Sequence, residues 1–113
     1  MNMRSVVYTA VFFCVTALVP AAAFAAMPTF TLSIKDHKFD PTELHVPAGQ
    51  KIKLMVKNLD KTPEEFESHE MKREKVIPGG TTGTVYIGPL DAGTYKFFGD
   101  FHQATAQGKI IAK

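Results

Sequence analysis

Residues 51–57 have the sequence KIKLMVK, in which apolar side chains alternate with mostly charged ones. Ile52, Leu54 and Val56 fall on one side of an extended chain, and the lysines fall on the other. An alternation with a period of two indicates a strand that has one face on a core and one in water. No apolar stripe of helical period runs for more than about one or two turns anywhere after residue 25. The chain is therefore predicted to be all-β.

The same alternation recurs on both sides of this segment. Residues 30–35 alternate Phe, Leu and Ile with Thr, Ser and Lys, and His45 lies between two apolar neighbours. Short strands that are separated by turn signals at this spacing predict a β-sandwich or a small barrel. The turn signals are Asp40-Pro41, Pro47-Ala48-Gly49, Pro78-Gly79-Gly80 and Asp91-Ala92-Gly93.

Residues 90–95, LDAGTY, favour the sandwich. They resemble a tyrosine corner, in which Tyr95 near the start of a late strand bonds back to nearby backbone and closes a Greek-key sandwich. The alternative is a plain glycine turn before a strand.

The first 25 residues have the pattern of a secretory signal peptide. Arg4 supplies the positive charge, residues 6–19 form an apolar run, and Ala23-Phe24-Ala25 has the small residues of a cleavage site. The alternative is a membrane anchor, but the run is short and no basic patch follows it. We expect export to the periplasm, a cleaved leader over residues 1–25 and one domain over residues 26–113.

The only cysteine, Cys14, lies inside the predicted leader. A mature chain would therefore have neither a disulfide nor a thiolate metal ligand. All 11 acidic residues and 12 of the 13 lysines and arginines lie after the leader, so the mature charge is about +1. This balance gives no electrostatic reason to expect nucleic acid as a partner. No nucleophile motif and no glycine-rich phosphate loop is present.

The C-terminal third carries a resemblance to a known family. Residues 95–102, YKFFGDFH, followed by Gly108-Lys109-Ile110, resemble the ligand loop and last strand of the cupredoxins, the family of plastocyanin and azurin. Residues 39–49 resemble the first two strands of that family, residues 58–60 the end of its third strand, and residues 78–95 its middle. The resemblance implies a Greek-key β-sandwich with a metal site at one end.

The departures from the cupredoxin pattern fall on the ligands. Gly99 stands at the position of the copper-binding cysteine, and Ala106 stands where the azurin-like loops have methionine. The upstream histidine of the family falls near Glu64 or Glu65, so only His102 keeps its family identity. A blue copper site needs two histidines, a thiolate and a weak axial ligand, and this chain cannot build one.

A narrower resemblance involves residues 63–68, PEEFES, together with His37 before Phe39. These features resemble the cupredoxin-like proteins of bacterial ferrous-iron uptake, which bind copper and iron through carboxylates plus histidine or cysteine. The resemblance implies copper, as Cu(II), and iron as the metals. It also implies a membrane iron permease and other periplasmic uptake components as partners. An accessory ferroxidase-type role and a monomer or weak dimer are expected.

Five residues are the candidate metal ligands. His102 follows an aromatic strand, and Asp100 lies two residues earlier, so the two can converge on one ion if the segment is extended. His37 precedes Phe39 by two, and the same rule points it inward or toward the end of the sandwich. Glu65 and Glu67 flank Phe66 and would lie side by side. Each has an ordinary alternative: a turn residue, an edge histidine or a solvated acidic run.

Two points stay open at this stage. Glu64 shares the parity of Phe66 and lies nearest the family's upstream histidine, whereas the narrower resemblance favours Glu65 and Glu67. His69 and Met71 could form a soft copper site, although Met71 could equally pack in the core. Residues 68–75, SHEMKREK, could form a short turn of helix or an edge strand.

The residues support more than one function. Oxygen and nitrogen donors without a thiolate favour the handling of Cu(II) and iron. The alternatives are a periplasmic copper carrier, an electron-transfer protein and a metal-free interaction module.

Overall fold

The computed structural model describes Met3, Val7, residues 9–18 and residues 26–113. Residues 9–18 of the predicted leader form neither helix nor strand. The predicted cleavage site, residues 23–25, lies outside the described residues. No helix among the described residues is long and apolar enough to cross a membrane.

The described part of the chain forms nine strands and one short 3₁₀ helix, which confirms the all-β prediction. The strands are β1 (Thr29–Lys35), β2 (Lys38–Asp40), β3 (Glu43–Val46), β4 (Ile52–Asn58), β5 (Glu64–Ser68), β6 (Arg73–Ile77), β7 (Thr82–Ile87), β8 (Gly93–Gly99) and β9 (Gln107–Ala112). The 3₁₀ helix, Asp100–His102, lies between β8 and β9.

The strands form two sheets that pack face to face. One sheet has four strands in the order β2-β1-β4-β7, and the other has five in the order β3-β9-β8-β5-β6. Strand β1 pairs with β4 in parallel, and β3 pairs with β9 in parallel, while the remaining pairs are antiparallel. These crossovers bring the first, middle and last parts of the chain to the same end of the sandwich.

The alternation seen in the sequence marks the core. In β4 the side chains of Ile52, Leu54 and Val56 are at most 1% exposed, and the lysines between them point outward. The core between the sheets is closed by an aromatic cluster in which the rings of Phe39, Phe66 and Phe97 lie 5.0 to 6.3 Å apart. Burial of such rings is among the largest contributions that single side chains make to stability.

Two local predictions are settled here. The Tyr95 hydroxyl donates to the Asp91 carbonyl over 2.9 Å, which is the bond of a tyrosine corner. Within residues 68–75, Ser68 ends β5, a turn follows over residues 69–72, and β6 begins at Arg73 as one of the two edge strands of the five-stranded sheet.

Candidate metal centre

Three segments meet at one end of the sandwich and bring nitrogen and oxygen donors together. They are the β1–β2 turn with His37, the start of β5 with Glu64, and the 3₁₀ helix with His102. The imidazole rings of His37 and His102 stack with centroids 3.5 Å apart and an interplanar angle of 11°. The Glu64 carboxylate lies 2.5 Å from Nδ1 of His102. We call Glu64, His37 and His102 the inner group.

Glu64 is the member of this group that the sequence left undecided. Its side chain is 1% exposed, because position 64 shares the inward parity of Phe66 in β5. Its Oε1 accepts hydrogen bonds from the backbone N–H of Glu65 and Phe101, at 3.1 and 2.9 Å. Because a carboxylate only accepts, the Nδ1–H of His102 donates to Oε2. Three donors satisfy this buried charge, so the carboxylate is held in one orientation.

His37 reaches the site by a different route from the predicted one. It is not in a strand, so the two-residue rule that was applied to His37 and Phe39 does not hold. Asp36 and His37 both have positive φ, 51° and 56°, and form the two-residue turn between β1 and β2. Two-residue hairpins favour this conformation because it matches the twist of the strands. The turn places the His37 ring at the end of the sandwich, against His102.

Asp60 holds this turn in place. Its two carboxylate oxygens accept from the backbone N–H of Asp36 and of His37, at 2.8 and 3.0 Å. The bond from His37 is the main cause that lowers the pKa of Asp60 below 3.8, against the opposing effect of desolvation. Asn58 in turn accepts from the Asp60 N–H at 3.0 Å. The position of His37 is therefore set by residues more than 20 positions along the chain.

Gly99 shows that the thiolate site of the cupredoxins does not fit here. A Cβ atom at Gly99 would lie 2.7 Å from the Cβ of Ala106 and 2.7 Å from the Cδ of Glu64. Gly99, Ala106 and Glu64 stand at the cysteine, methionine and upstream histidine positions of the family, and they do lie together. The Glu64 carboxylate occupies the space between them. The one cysteine, Cys14, is exposed and lies outside the sandwich. A blue copper site is therefore absent from the described fold.

Glu65, Glu67 and Asp100 form a second cluster on the outer face of the five-stranded sheet. One ligand atom from each lies within 4.8 Å of the others, and all three side chains are half-buried. We call them the outer group. Desolvation is the main cause that raises the pKa of Glu65 above 4.5, and the charges of Asp100, Glu67 and Glu74 add to it. The predicted side-by-side arrangement of Glu65 and Glu67 is thus present.

Asp100 and His102 do not converge, contrary to the expectation from an extended segment. Both lie in the 3₁₀ helix, where residues two apart point in different directions. Asp100 joins the outer group and accepts from Gln103 Nε2 at 2.8 Å, while His102 turns toward Glu64. The five predicted ligands are therefore split between two groups rather than gathered round one ion.

The possible soft site of His69 and Met71 is not formed. Met71 is 7% exposed and belongs to the core, whereas His69 is exposed and lies 3.7 Å from Glu67. Of these two residues, only His69 lies near the outer group and could add a donor to it.

The two groups offer different chemistry. Two imidazoles and one carboxylate suit Cu(II), Zn(II) or iron, whereas three carboxylates suit iron and harder cations. In the inner group the rings are parallel and Nδ1 of His102 is bonded to Glu64, so binding of an ion to both residues requires that proton to leave. The donor set fits a metal with nitrogen and oxygen ligands and excludes the thiolate chemistry of blue copper.

Comparison with known proteins agrees with this architecture. The cupredoxin-like domain model matches residues 6–112. An uncharacterized protein of Rickettsia prowazekii (strain Madrid E) is 50% identical over 80 residues, which is 71% of this chain. The matched region spans 64% of the length of that relative.

Solved structures share the fold at low sequence identity. The "blue" copper protein auracyanin A of Chloroflexus aurantiacus superposes with a TM-score of 0.67 at 20% identity, over 78% of this chain and all of that one. Amicyanin from Paracoccus versutus gives a TM-score of 0.58 at 19% identity, over 82% of this chain and 89% of the other. With a family model that spans all nine described strands, the chain belongs to the cupredoxin-like domain family.

Proposed function

We propose that this chain is a periplasmic metal-binding protein that holds copper or iron with histidine and carboxylate ligands. In this role it aids the oxidation of ferrous iron or its transfer to a membrane iron permease. The observation that carries the proposal is the inner group, whose residues come from three distant segments: Glu64 is bonded to His102, and His37 stacks on His102. Among the described residues, only the outer group has three donor atoms within 4.8 Å of one another, so an ion at the inner group would require the stacked rings to turn. A buried carboxylate beside two imidazoles is a constellation that is common at functional sites.

Copper suits the inner group and iron suits the outer group. Cu(II) binds nitrogen and oxygen donors more tightly than the other divalent metals of the first row, and the lack of a thiolate removes the preference for Cu(I). Copper that is bound there would supply a one-electron acceptor for Fe(II). The carboxylates of the outer group would hold iron as the substrate. A cation would offset both the desolvation, which is the main cause of the raised pKa of Glu65, and the repulsion by neighbouring carboxylates that adds to it.

The two groups are placed to act together. Glu64 and Glu65 are adjacent residues of β5, and Asp100 and His102 lie in the same 3₁₀ helix. This supports a role in which iron is received on the outer face beside the histidine pair.

The periplasmic location rests on the predicted leader over residues 1–25, and the permease partner rests on the narrower resemblance of residues 63–68 and His37. Copper is supported by the structural neighbours, among which auracyanin A is described as a copper protein. A copper carrier is the second candidate. Met71, the soft ligand expected of a copper carrier, is buried in the core, so we rank the carrier function below the handling of Cu(II) and iron. Electron transfer of the blue-copper type ranks lower still because Gly99 supplies no thiolate.

Metal titration of matched variants tests the proposal. We expect wild type to bind Cu(II) without an intense blue absorption band, and His102→Ala to lower that affinity by about a hundredfold or more. Glu65→Gln/Glu67→Gln should weaken Fe(II) binding and leave Cu(II) binding nearly unchanged. His45→Ala is the control, because His45 is exposed and pairs only with Glu43 at 3.2 Å. Equal Cu(II) affinity for wild type and His102→Ala, or an intense blue band, would contradict the proposal.

A further inference from the structure

The outer face of the four-stranded sheet is strongly basic. Alternation in β4 sends Lys53 and Lys57 outward, beside Thr29 and Ser33 of β1. On the same face, Lys35 of β1 is the cross-strand partner of Lys38 of β2. Lys51, just before β4, has the same parity, and its Nζ lies 5.6 Å from the centre of the Tyr86 ring. We call this surface the lysine face. Its five lysines are Lys35, Lys38, Lys51, Lys53 and Lys57.

These lysines have no acidic partner among the described residues. The four ion pairs of the described chain all involve other cations, and three of the four are histidines. Asp40 is the one acidic residue that the strands of this sheet place on the face. Most of the other side chains on this face are small and hydroxylated, except for the half-buried Met55 and for Tyr86, which is 48% exposed. The hydroxylated positions are Thr29, Thr31, Ser33, Thr82 and Thr84.

The opposite side of the sandwich is nearly neutral. The five-stranded sheet and the turn after β5 carry six acidic and five basic residues. The formal net charge of the chain is only +2, so the excess of positive charge is concentrated on the lysine face. Concentration of charge on one face gives the molecule an electrostatic orientation near a charged surface.

We propose that the lysine face docks on an anionic lipid bilayer. Protein interfaces are depleted in lysine, whereas this face has five lysines around one half-buried methionine, Met55. A flat basic surface instead fits a sheet of lipid phosphates, which attracts each nearby lysine without requiring fixed geometry. Docking by this face leaves the outer group pointing away from the lipid, where carboxylates are not repelled by it. The inference stands apart from the proposed metal function.

Vesicle binding of the full chain tests the docking. The readout is the ratio of binding to phosphatidylcholine vesicles with phosphatidylglycerol over binding to phosphatidylcholine alone. All variants carry the same N-terminal segment with Arg4, so its contribution cancels when the ratios of two variants are compared. We expect a ratio well above one at low salt that falls toward one at high salt. Lys35→Gln/Lys53→Gln/Lys57→Gln should reduce the ratio by roughly a hundredfold, at about fivefold per lysine.

The matched control removes the same charge from the other sheet. Lys75→Gln/Lys96→Gln/Lys109→Gln should keep most of the wild-type ratio, and circular dichroism should show both triple variants folded. A ratio of one for wild type, or an equal loss in the two triple variants, overturns the proposal. Salt-sensitive self-association without vesicles that only the first triple variant abolishes also overturns it, because the face would then take the acidic outer group of a second copy.

Discussion

The inner and outer groups lie on the two faces of the same strand, yet they are stabilised in opposite ways. Glu64 is buried and saturated with hydrogen-bond donors, whereas Glu65 is half-buried and surrounded by other carboxylates. Both arrangements place a negative charge where a cation can bind. On the proposed function, β5 would supply one carboxylate that hydrogen bonds already hold in place and another whose desolvation and repulsion a metal would offset.

Glu64→Ala tests this contrast and is expected to have the largest effect on stability. It leaves the N–H groups of Glu65 and Phe101 and Nδ1 of His102 without their acceptor, which should lower the free energy of unfolding by about 3 kcal/mol. Urea unfolding measures the change. Glu64→Gln keeps one acceptor oxygen and should lose less than half as much. Glu43→Ala, at an exposed position, should change stability by less than about 0.5 kcal/mol. A small loss in Glu64→Ala would show that the inner group is not preorganised.

Gly99→Ala tests whether the inner group fills the former thiolate position. The added methyl group would lie 2.7 Å from both Ala106 Cβ and Glu64 Cδ, so we expect a loss of about 2 kcal/mol and a weaker affinity for Cu(II). Gly93→Ala is the matched control on the same strand. Its added Cβ would meet its nearest atom at 3.8 Å, an ordinary contact. Equal melting temperatures for the two variants would rule out the crowding at Gly99.

Asp60→Ala tests the support of the inner group. Loss of its bonds to the Asp36–His37 turn should lower stability by about 1.5 kcal/mol and Cu(II) affinity about tenfold. Because the pKa of Asp60 is lowered in the fold, its contribution is present above pH 3.8 and is lost as the pH falls through the lowered value. The variant should therefore lose less stability on acidification than wild type. If urea unfolding shows that Asp60→Ala and wild type lose the same stability between neutral and acidic pH, this role of Asp60 is contradicted.

The smallest effect on stability is expected for Glu65 in the outer group, and its pH dependence has the opposite sign to that of Asp60. The raised pKa of Glu65 means that the fold binds its proton more tightly than the unfolded chain does. This contribution to stability is present below pH 4.5 and is lost as the pH rises through the raised value. Glu65→Gln should remove this loss of stability with rising pH, so the metal-free variant should be slightly more stable than wild type at neutral pH. Urea midpoints at several pH values, with Glu43→Gln as control, measure it.

The sequence predicted the sandwich well because burial in a strand alternates with a period of two, as in Ile52, Leu54 and Val56. It predicted the site less completely. Parity and family spacing both favoured Glu64, but the resemblance of residues 63–68 favoured its neighbours. The bend after Gly99 separates Asp100 from His102, and spacing alone could not reveal it. The turn at His37 has no glycine or other strong turn signal. It is stabilised instead by Asp60, an acceptor that lies 23 residues away and that local sequence does not reveal.

The assembly of the inner group from distant segments has a consequence for the order of events in folding. Glu64 and His102 are 38 residues apart, and their meeting with His37 requires the crossovers that pair β1 with β4 and β3 with β9. Contacts of such long sequence separation form late, since loop closure precedes them. An unfolded chain therefore does not bring these three side chains together. If the inner group holds a metal as proposed, its loading would be a late event, and a loaded inner group would report a chain that has finished folding.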